Sequence, residues 1–483
     1  MVKQAVVKLG QALALIIAGI ITVWLLVASW QVKPQVGIGS LALSGGVVIL
    51  LGLLIGGGSY WLSRRQTSWL VASFIGLTLL KFPLVAWLKI APVGDFKVYH
   101  ALAVFNAHGL TWHQMLTHGL IGASIASPTT LNVANLFSFS TALGGTNFFI
   151  SQLINISCTL LDMLLLYWLV SRWLSRRLGI MASLIFYCIP SYWLYSTLLN
   201  GAEPLLITCL LVMMLALTRA LKPLPTASPN DHWFNLIIAG GATLVANMIQ
   251  PIMISWLVIL ALFTVIVILD LGRSYHFQYR HVGLYVVTTA VVLIATTGLS
   301  SWLYGFQVTP PTANVSYDVT SGAQTSANQR SQTALVQADP AIAALLATSP
   351  TGQLGPVISH RMQSLAREDY GFHWSLVNLR SVQQRRTWKR TQPFWAGLAH
   401  IYWQLMLIAT LISVVIGGWL WWRPSALNHY FLYATLLLDG LTLTALLIGA
   451  QGRSRAILYL PIIFMITCGT AGITQLWSRQ RRV

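Results

Sequence analysis

Long apolar runs separated by a few polar or basic residues dominate the chain from residue 9 onward. Runs able to cross a hydrocarbon core, roughly 17 to 25 residues, fall near 9–30, 41–62, 68–90, 147–170, 180–200, 203–221, 233–250, 252–270, 281–303, 396–421, 429–449 and 455–476. The pattern predicts about twelve transmembrane helices by the hydropathy-window criterion, hence an all-α polytopic membrane protein. Two stretches interrupt it. Residues 91–146 and 304–395 are much longer than ordinary helix connections and richer in Ser, Thr, Asn, Gln, His and Gly than the runs around them; long connections of this kind are usually functional. The first alternates apolar pieces (101–105, 132–139) with polar ones, as helices at a membrane interface do. The second opens on a Thr309-Pro310-Pro311 turn, continues through a polar stretch from Asn314 to Thr333, and becomes amphipathic towards Pro393. Four parts follow: a transmembrane hairpin at 1–67, a core at 68–303 that includes the loop 91–146, a loop at 304–395, and the C-terminal helices at 396–483.

Composition agrees with this class, because 56% hydrophobic and 8% charged residues exclude a soluble domain. Charge orients the spans. With a cytoplasmic N-terminus, short inner segments carry Lys3, Lys8, Arg64, Arg65, Arg172, Arg176, Arg177, Arg219, Lys222, Arg273, Arg280, Arg423, Arg479, Arg481 and Arg482, whereas short outer ones hold Lys33, Lys89, Lys97, Arg453 and Arg455. The positive-inside rule then places both termini in the cytoplasm and both long loops outside a plasma membrane. The net charge of +19 reports orientation and contact with anionic headgroups, and with no basic soluble module it argues against nucleic acid. The first apolar run is too long for a signal-peptide core and is kept as a span. Cys158, Cys188, Cys209 and Cys468 all lie within spans, so no disulfide framework or zinc cluster is expected in the loops.

Acidic residues are scarce, and six of the ten fall on the outer side. Two of these, Asp95 and Glu203, sit where a helix meets water. An acid there is favoured by the helix dipole, and a helix cap is the plain explanation for Asp95; Glu203 precedes Pro204, a typical first-turn proline. A helix started by Asp95 puts Tyr99 and Ala103 on its face. Lys81, Asp162 and Asp439 lie inside spans, where an ion must be paired or face a wet cavity. Lys81 and Asp439 are at similar depth, so a Lys81–Asp439 pair is the expected arrangement. His100, His108, His113 and His118 share the first loop without standard ligand spacing, and a zinc site is not expected. Arg380, Arg385, Arg386, Lys389 and Arg390 form a basic run just before the tenth span, suited to anionic lipid, acidic wall polymer or a phosphate-bearing donor.

Four blocks, taken in order and by topological side, resemble the GT-C superfamily of lipid-dependent glycosyltransferases, in the branch of protein O-mannosyltransferases and aminoarabinose transferases. They are Asp95 with Tyr99, Ala103 and Gly109; an Asn155-containing span ending in Arg172, Arg176 and Arg177; Pro190 followed by Tyr195-Ser196 and Glu203-Pro204; and Arg453-Ser454-Arg455 with Pro461 beyond. The chain departs from the family pattern in three places. It has Gln250-Pro251 where Arg-Pro is usual, Arg-Ser-Arg with Tyr459 further on where an Arg-Tyr pair is common, and an extra N-terminal hairpin.

The resemblance implies a GT-C-like bundle and a polyprenyl-phosphate-linked sugar donor within the membrane lipids. The acceptor would be a glycan, lipid or protein on the outer face. A sugar hydroxyl is a poor nucleophile, so a carboxylate must draw off its proton; Asp95 is the candidate, with Glu203 orienting the acceptor. A leaving phosphate calls for a fixed planar cation, Arg453 or Arg455. Lys97, Tyr99 and Lys81 are supporting candidates. No cofactor is certain; a divalent cation between Asp95 and Glu203 is compatible with two hard oxygen ligands. The alternative class is a multi-span transporter or flippase of a lipid-linked or envelope precursor, but no repeat between the two halves marks a carrier.

Overall fold

The computed structural model describes residues 2–31, 37–121, 128–220, 229–250, 252–271, 276–306, 354–367, 370–420, 426–448 and 452–480. The Thr309-Pro310-Pro311 turn, the polar stretch after it and Pro251 lie outside these residues. The N-terminal helices are α1 (Val2–Gln31), α2 (Ile38–Ser63), α3 (Thr67–Leu79) and α4 (Phe82–Trp87). Helices α5 (Asp95–Ala107), α6 (Trp112–Thr117) and α7 (Pro128–Gly144) make up the first long loop. Then come α8 (Phe148–Trp173), α9 (Arg176–Tyr187), α10 (Pro190–Leu198), α11 (Glu203–Ala220), α12 (Pro229–Ile249), α13 (Met253–Leu271) and α14 (His276–Tyr304). The second loop contributes α15 (Leu354–Ala366) and α16 (Tyr370–Val377), followed by α17 (Val382–Leu420), α18 (Ala426–Ile448), a 3-10 turn (Gly452–Leu458) and α19 (Tyr459–Gln480).

The protein is an all-α polytopic membrane protein, and every expected span falls on helix. Among the described residues eight helices are long and apolar enough to cross a membrane, or nine if α9 and α10 count as one bent span. Two spans are broken by proline. The α9–α10 pair bends by 67° because Pro190, at the start of α10, has no N–H to return to Phe186. Pro83 likewise cannot bond back to Leu79, which separates α3 from α4 and leaves Lys81 at the break. Helix α17 has 39 residues, about 58 Å at 1.5 Å per residue and roughly twice the hydrocarbon thickness. The tenth span is therefore only the second half of a helix whose first turns stand clear of the apolar layer.

The two ends of the bundle are tied separately. At one, Arg176 donates to the Arg65 carbonyl (2.5 Å), and Arg64 and Arg177 lie 4.1 and 5.3 Å from the Tyr60 ring centroid. At the other, residues 87–93 are zipped to residues 378–384. Ile90 and Leu379 form an isolated antiparallel bridge, with Ala91 N–H on Asn378 O (2.8 Å) and Arg380 N–H on Lys89 O (2.8 Å). Asn378 Oδ1 accepts from Val93 N–H (2.7 Å) and Gln384 Nε2 donates to Trp87 O (2.7 Å). Both long loops thus meet at one end.

Helix α16 is seated on α10 through Gly371, where an added Cβ would run into the Ser191 backbone. The obstruction is main chain and cannot swing aside, so Gly371→Ala is expected to destabilise the fold by about 1–3 kcal/mol, the usual overpacking cost. A drop in the thermal midpoint of the detergent-solubilised protein checks it; an unchanged midpoint would show that the contact is not tight.

Candidate active site

Among the buried polar residues of helix α8, Gln152, Asn155, Thr159 and Asp162 are spaced 3, 4 and 3 apart and therefore lie on one face. That face organises the site. Gln152 Nε2 donates to Leu198 O (2.8 Å), and Asn155 Nδ2 donates to Leu199 O (2.8 Å) and Gly201 O (3.0 Å). These carbonyls belong to the end of α10 and the turn after it, where a helix terminus lacks its own partners. The turn ends at Glu203, the first residue of α11.

Below it, Asp162 accepts from Thr208 Oγ1 (2.6 Å) and Tyr192 Oη (3.4 Å). Lys81 Nζ donates to Ser196 Oγ (2.8 Å) and Thr159 Oγ1 (3.2 Å), the latter one turn before Asp162 on α8. The expected Lys81–Asp439 pair is therefore not formed. Equal depth fixes height and leaves azimuth open, and the α3–α4 span packs on α8 and α10, so Lys81 meets Thr159 and Ser196.

Tyrosines continue the network upward. The Tyr195 phenol donates to Glu203, and Glu203 is buried at 9% exposure. Tyr195 packs on Tyr370 (ring centroids 5.7 Å) and on Phe96 (6.0 Å). Tyr459 donates to Tyr370 Oη (3.2 Å) and meets the rings of Tyr192 (6.1 Å) and Trp403 (6.0 Å). Arg455 is fully buried, with its guanidinium 4.9 Å from the Trp403 centroid and 5.7 Å from that of Tyr370; one Nη donates to the Arg367 carbonyl. Burial first, and the neighbouring tyrosines second, hold the Tyr370 phenol well above its ordinary pKa, so at neutral pH it remains an O–H donor.

Asp95 stands exposed in the first turn of α5. The cap of that helix is Gly94 and not Asp95: the carboxylate belongs to the first helical residue, where the dipole favours its charge without a capping bond being needed. Its neighbour Phe96 links it to the cluster, because Phe96 touches Tyr195 and its carbonyl accepts from Asn200 Nδ2 (3.2 Å). Lys97 is exposed beside Asp95, and Tyr99 is buried in the core. Of the two candidate arginines, Arg455 enters the cluster; Arg453 lies on the same 3-10 turn, its side chain outside the described residues.

The four loop histidines do not converge. His100 packs edge-on against Phe148 (5.3 Å), burial lowering its pKa, while His108 turns back to the Val104 carbonyl. No group of three or more His, Cys, Asp or Glu converges among the described residues, and Asp95 and Glu203 alone would supply a small part of the six to eight oxygens that calcium takes. All four cysteines are free thiols.

The residues that sequence reasoning missed are Gln152, Thr159, Tyr370 and Asn378. The α8 stripe was visible as polar residues on one face of an apolar helix. Tyr370 and Asn378 carry no comparable signal.

No protein-family profile matches the chain, and no curated protein does. Among solved structures the chain is similar to the crystal structure of ArnT from Cupriavidus metallidurans bound to undecaprenyl phosphate, at 13% identity and a TM-score of 0.38, over 85% of this chain and 79% of that one. The roles proposed for this chain rest on its own residues.

Proposed function

We propose that the chain is a membrane glycosyltransferase with a GT-C-like bundle, moving a sugar from a polyprenyl-phosphate-linked donor to an acceptor on the outer face of the plasma membrane. The observation that carries this is convergence at one end of the bundle. The exposed Asp95 turn, the Tyr195–Glu203 pair, Tyr370 and the buried Arg455 come from four distant parts of the sequence and touch through Phe96 and the tyrosines.

In this scheme the acceptor oxygen attacks the anomeric carbon, the bond from that carbon to the phosphate oxygen breaks, and Asp95 takes the acceptor's proton. The polyprenyl phosphate leaves as an anion opposite a fixed cation, Arg455, whose field is little screened because it is buried from water. Glu203, held by Tyr195, orients the acceptor. Lys97 adds a second positive charge at the mouth, Tyr99 anchors α5, and Lys81, bonded to Ser196, holds α10 in register.

The test is transfer by the purified full-length protein in proteoliposomes, using a polyprenyl-phosphate sugar labelled in the sugar. Label passing to an acceptor supports the scheme; an intact, inserted protein that transfers from no lipid-linked sugar defeats it. Arg455→Lys is expected to lower transfer at least tenfold, since a compact ammonium does not replace a planar guanidinium between two aromatic rings. Full activity with lysine would remove Arg455 from the donor site.

A further inference from the structure

The basic run at the start of α17 has no part in that chemistry, yet the structure gives it a defined face. Gln384 and Trp388 point inward, Trp388 stacking on Phe372 (6.4 Å) and Trp395 (6.2 Å). Arg385, Arg386, Lys389 and Arg390 are exposed, one Arg385 Nη also donating to the Leu379 carbonyl (2.6 Å), and they fall as two like-charge pairs four residues apart, an arrangement that destabilises a helix. The zipper to residues 87–93 adds exposed Lys89, and Arg380 follows the bridge. From Tyr370 to Leu438 the sequence contains no Asp or Glu, so the helix offers this ridge no carboxylate.

Depth identifies what the ridge meets. Phe394 and Trp395 mark the point where α17 becomes apolar, as aromatic residues do at a membrane boundary. Lys389 and Arg390 stand one turn before them, about 6–8 Å along the axis, at the level of the phosphate layer. Exposed Trp87 (58%) and Val382 (64%) flank the cations, an apolar-plus-basic surface of the kind that settles into an interface.

We propose that this rim, formed by Lys89, Arg380, Arg385, Arg386, Lys389 and Arg390, is a docking surface for the phosphate headgroups of anionic phospholipids. Occupied, it neutralises the ridge and seats the zipped pair of loops, and with them the Asp95 turn, on the membrane surface. The proposal concerns lipid binding and stands whether or not the chain transfers sugar.

The test uses the full-length protein in nanodiscs of phosphatidylcholine with a minor fraction of phosphatidylglycerol, and native mass spectrometry of the lipid kept on gentle removal of the bulk. The parent is expected to retain phosphatidylglycerol in preference to phosphatidylcholine. The fourfold variant Arg385→Gln, Arg386→Gln, Lys389→Gln, Arg390→Gln is expected to reduce that preference roughly tenfold or more, since each basic residue near an anionic surface is worth about fivefold. High salt should erode the preference in the parent, as screening shortens the reach of each charge. Arg386→Gln with Arg390→Gln, both outward, gives a second variant should the fourfold one fail to insert, with an expected loss of about half the effect on a logarithmic scale. Equal retention by parent and variants overturns the proposal. So does retention of polyprenyl phosphate alone with no preference for phosphatidylglycerol, which would make the rim a donor site.

Discussion

The Asp95→Asn variant is expected to insert normally and to lose transfer by about 10²- to 10⁴-fold, the range over which a positioned general base contributes. Asparagine keeps the shape of the side chain and its place in the first turn of α5, so the Phe96 contact to Tyr195 should survive. The loss should therefore fall on turnover and leave donor binding little changed. Asp95 is exposed, which removes most of the stability cost that substituting a buried acid would bring. Transfer and thermal midpoint measured side by side decide the matter. Unchanged transfer would dismiss Asp95 as the base and leave Glu203 as the candidate; a lowered midpoint with proportional loss of activity would make Asp95 structural.

Emptying the buried polar face of Lys81 and Asp162 is expected to have the largest effect on stability. Lys81→Met leaves Asp162 with its two hydroxyl donors but without the cation, and Asp162→Asn leaves Lys81 with two hydroxyls and no anion. Leaving a buried polar group without its partner costs about 1–3 kcal/mol, more for a charged one, and both residues are fully buried. The double variant Lys81→Met with Asp162→Asn should recover part of the loss, because neither charge is then left in the core without the other. Thermal unfolding of the three variants beside the parent gives the cycle. Additive single effects would show that Lys81 and Asp162 do not interact.

The helices were legible in the sequence because a lipid-facing helix must be apolar along its whole length. The acids at the membrane boundary were legible as well, since Asp95 and Glu203 do begin α5 and α11. Partners were not. Lys81 could be assigned a depth from residue counting, but its neighbour depends on which helices pack, and that is decided by contacts between spans far apart in the chain. The α8 stripe was readable in principle, as Gln152, Asn155, Thr159 and Asp162 repeat at helical spacing through an apolar run; Asn155 stood out only as one member of a motif. Tyr370 and Asn378 were beyond reach, because an aromatic or an amide in a polar loop looks the same whether it lines a site or faces water. The resemblance left two arginines open, and only the packing of Trp403 and Tyr370 around Arg455 separates them.

The zipper that joins the two loops also dictates when the site can exist. Val93 and Asn378 are 285 positions apart, and Trp87 and Gln384 297. During synthesis, α5 through α14 can emerge and insert while neither Asn378 nor Arg455 has been made. The Asp95 turn then waits without its partner loop, and the tyrosine cluster lacks Tyr370 and Tyr459. Closing so long a stretch of chain is slow compared with forming the helices themselves. A half-made chain thus holds most of its spans and only the Tyr195–Glu203 side of the cluster, and Tyr370, Arg455 and Tyr459 join it last.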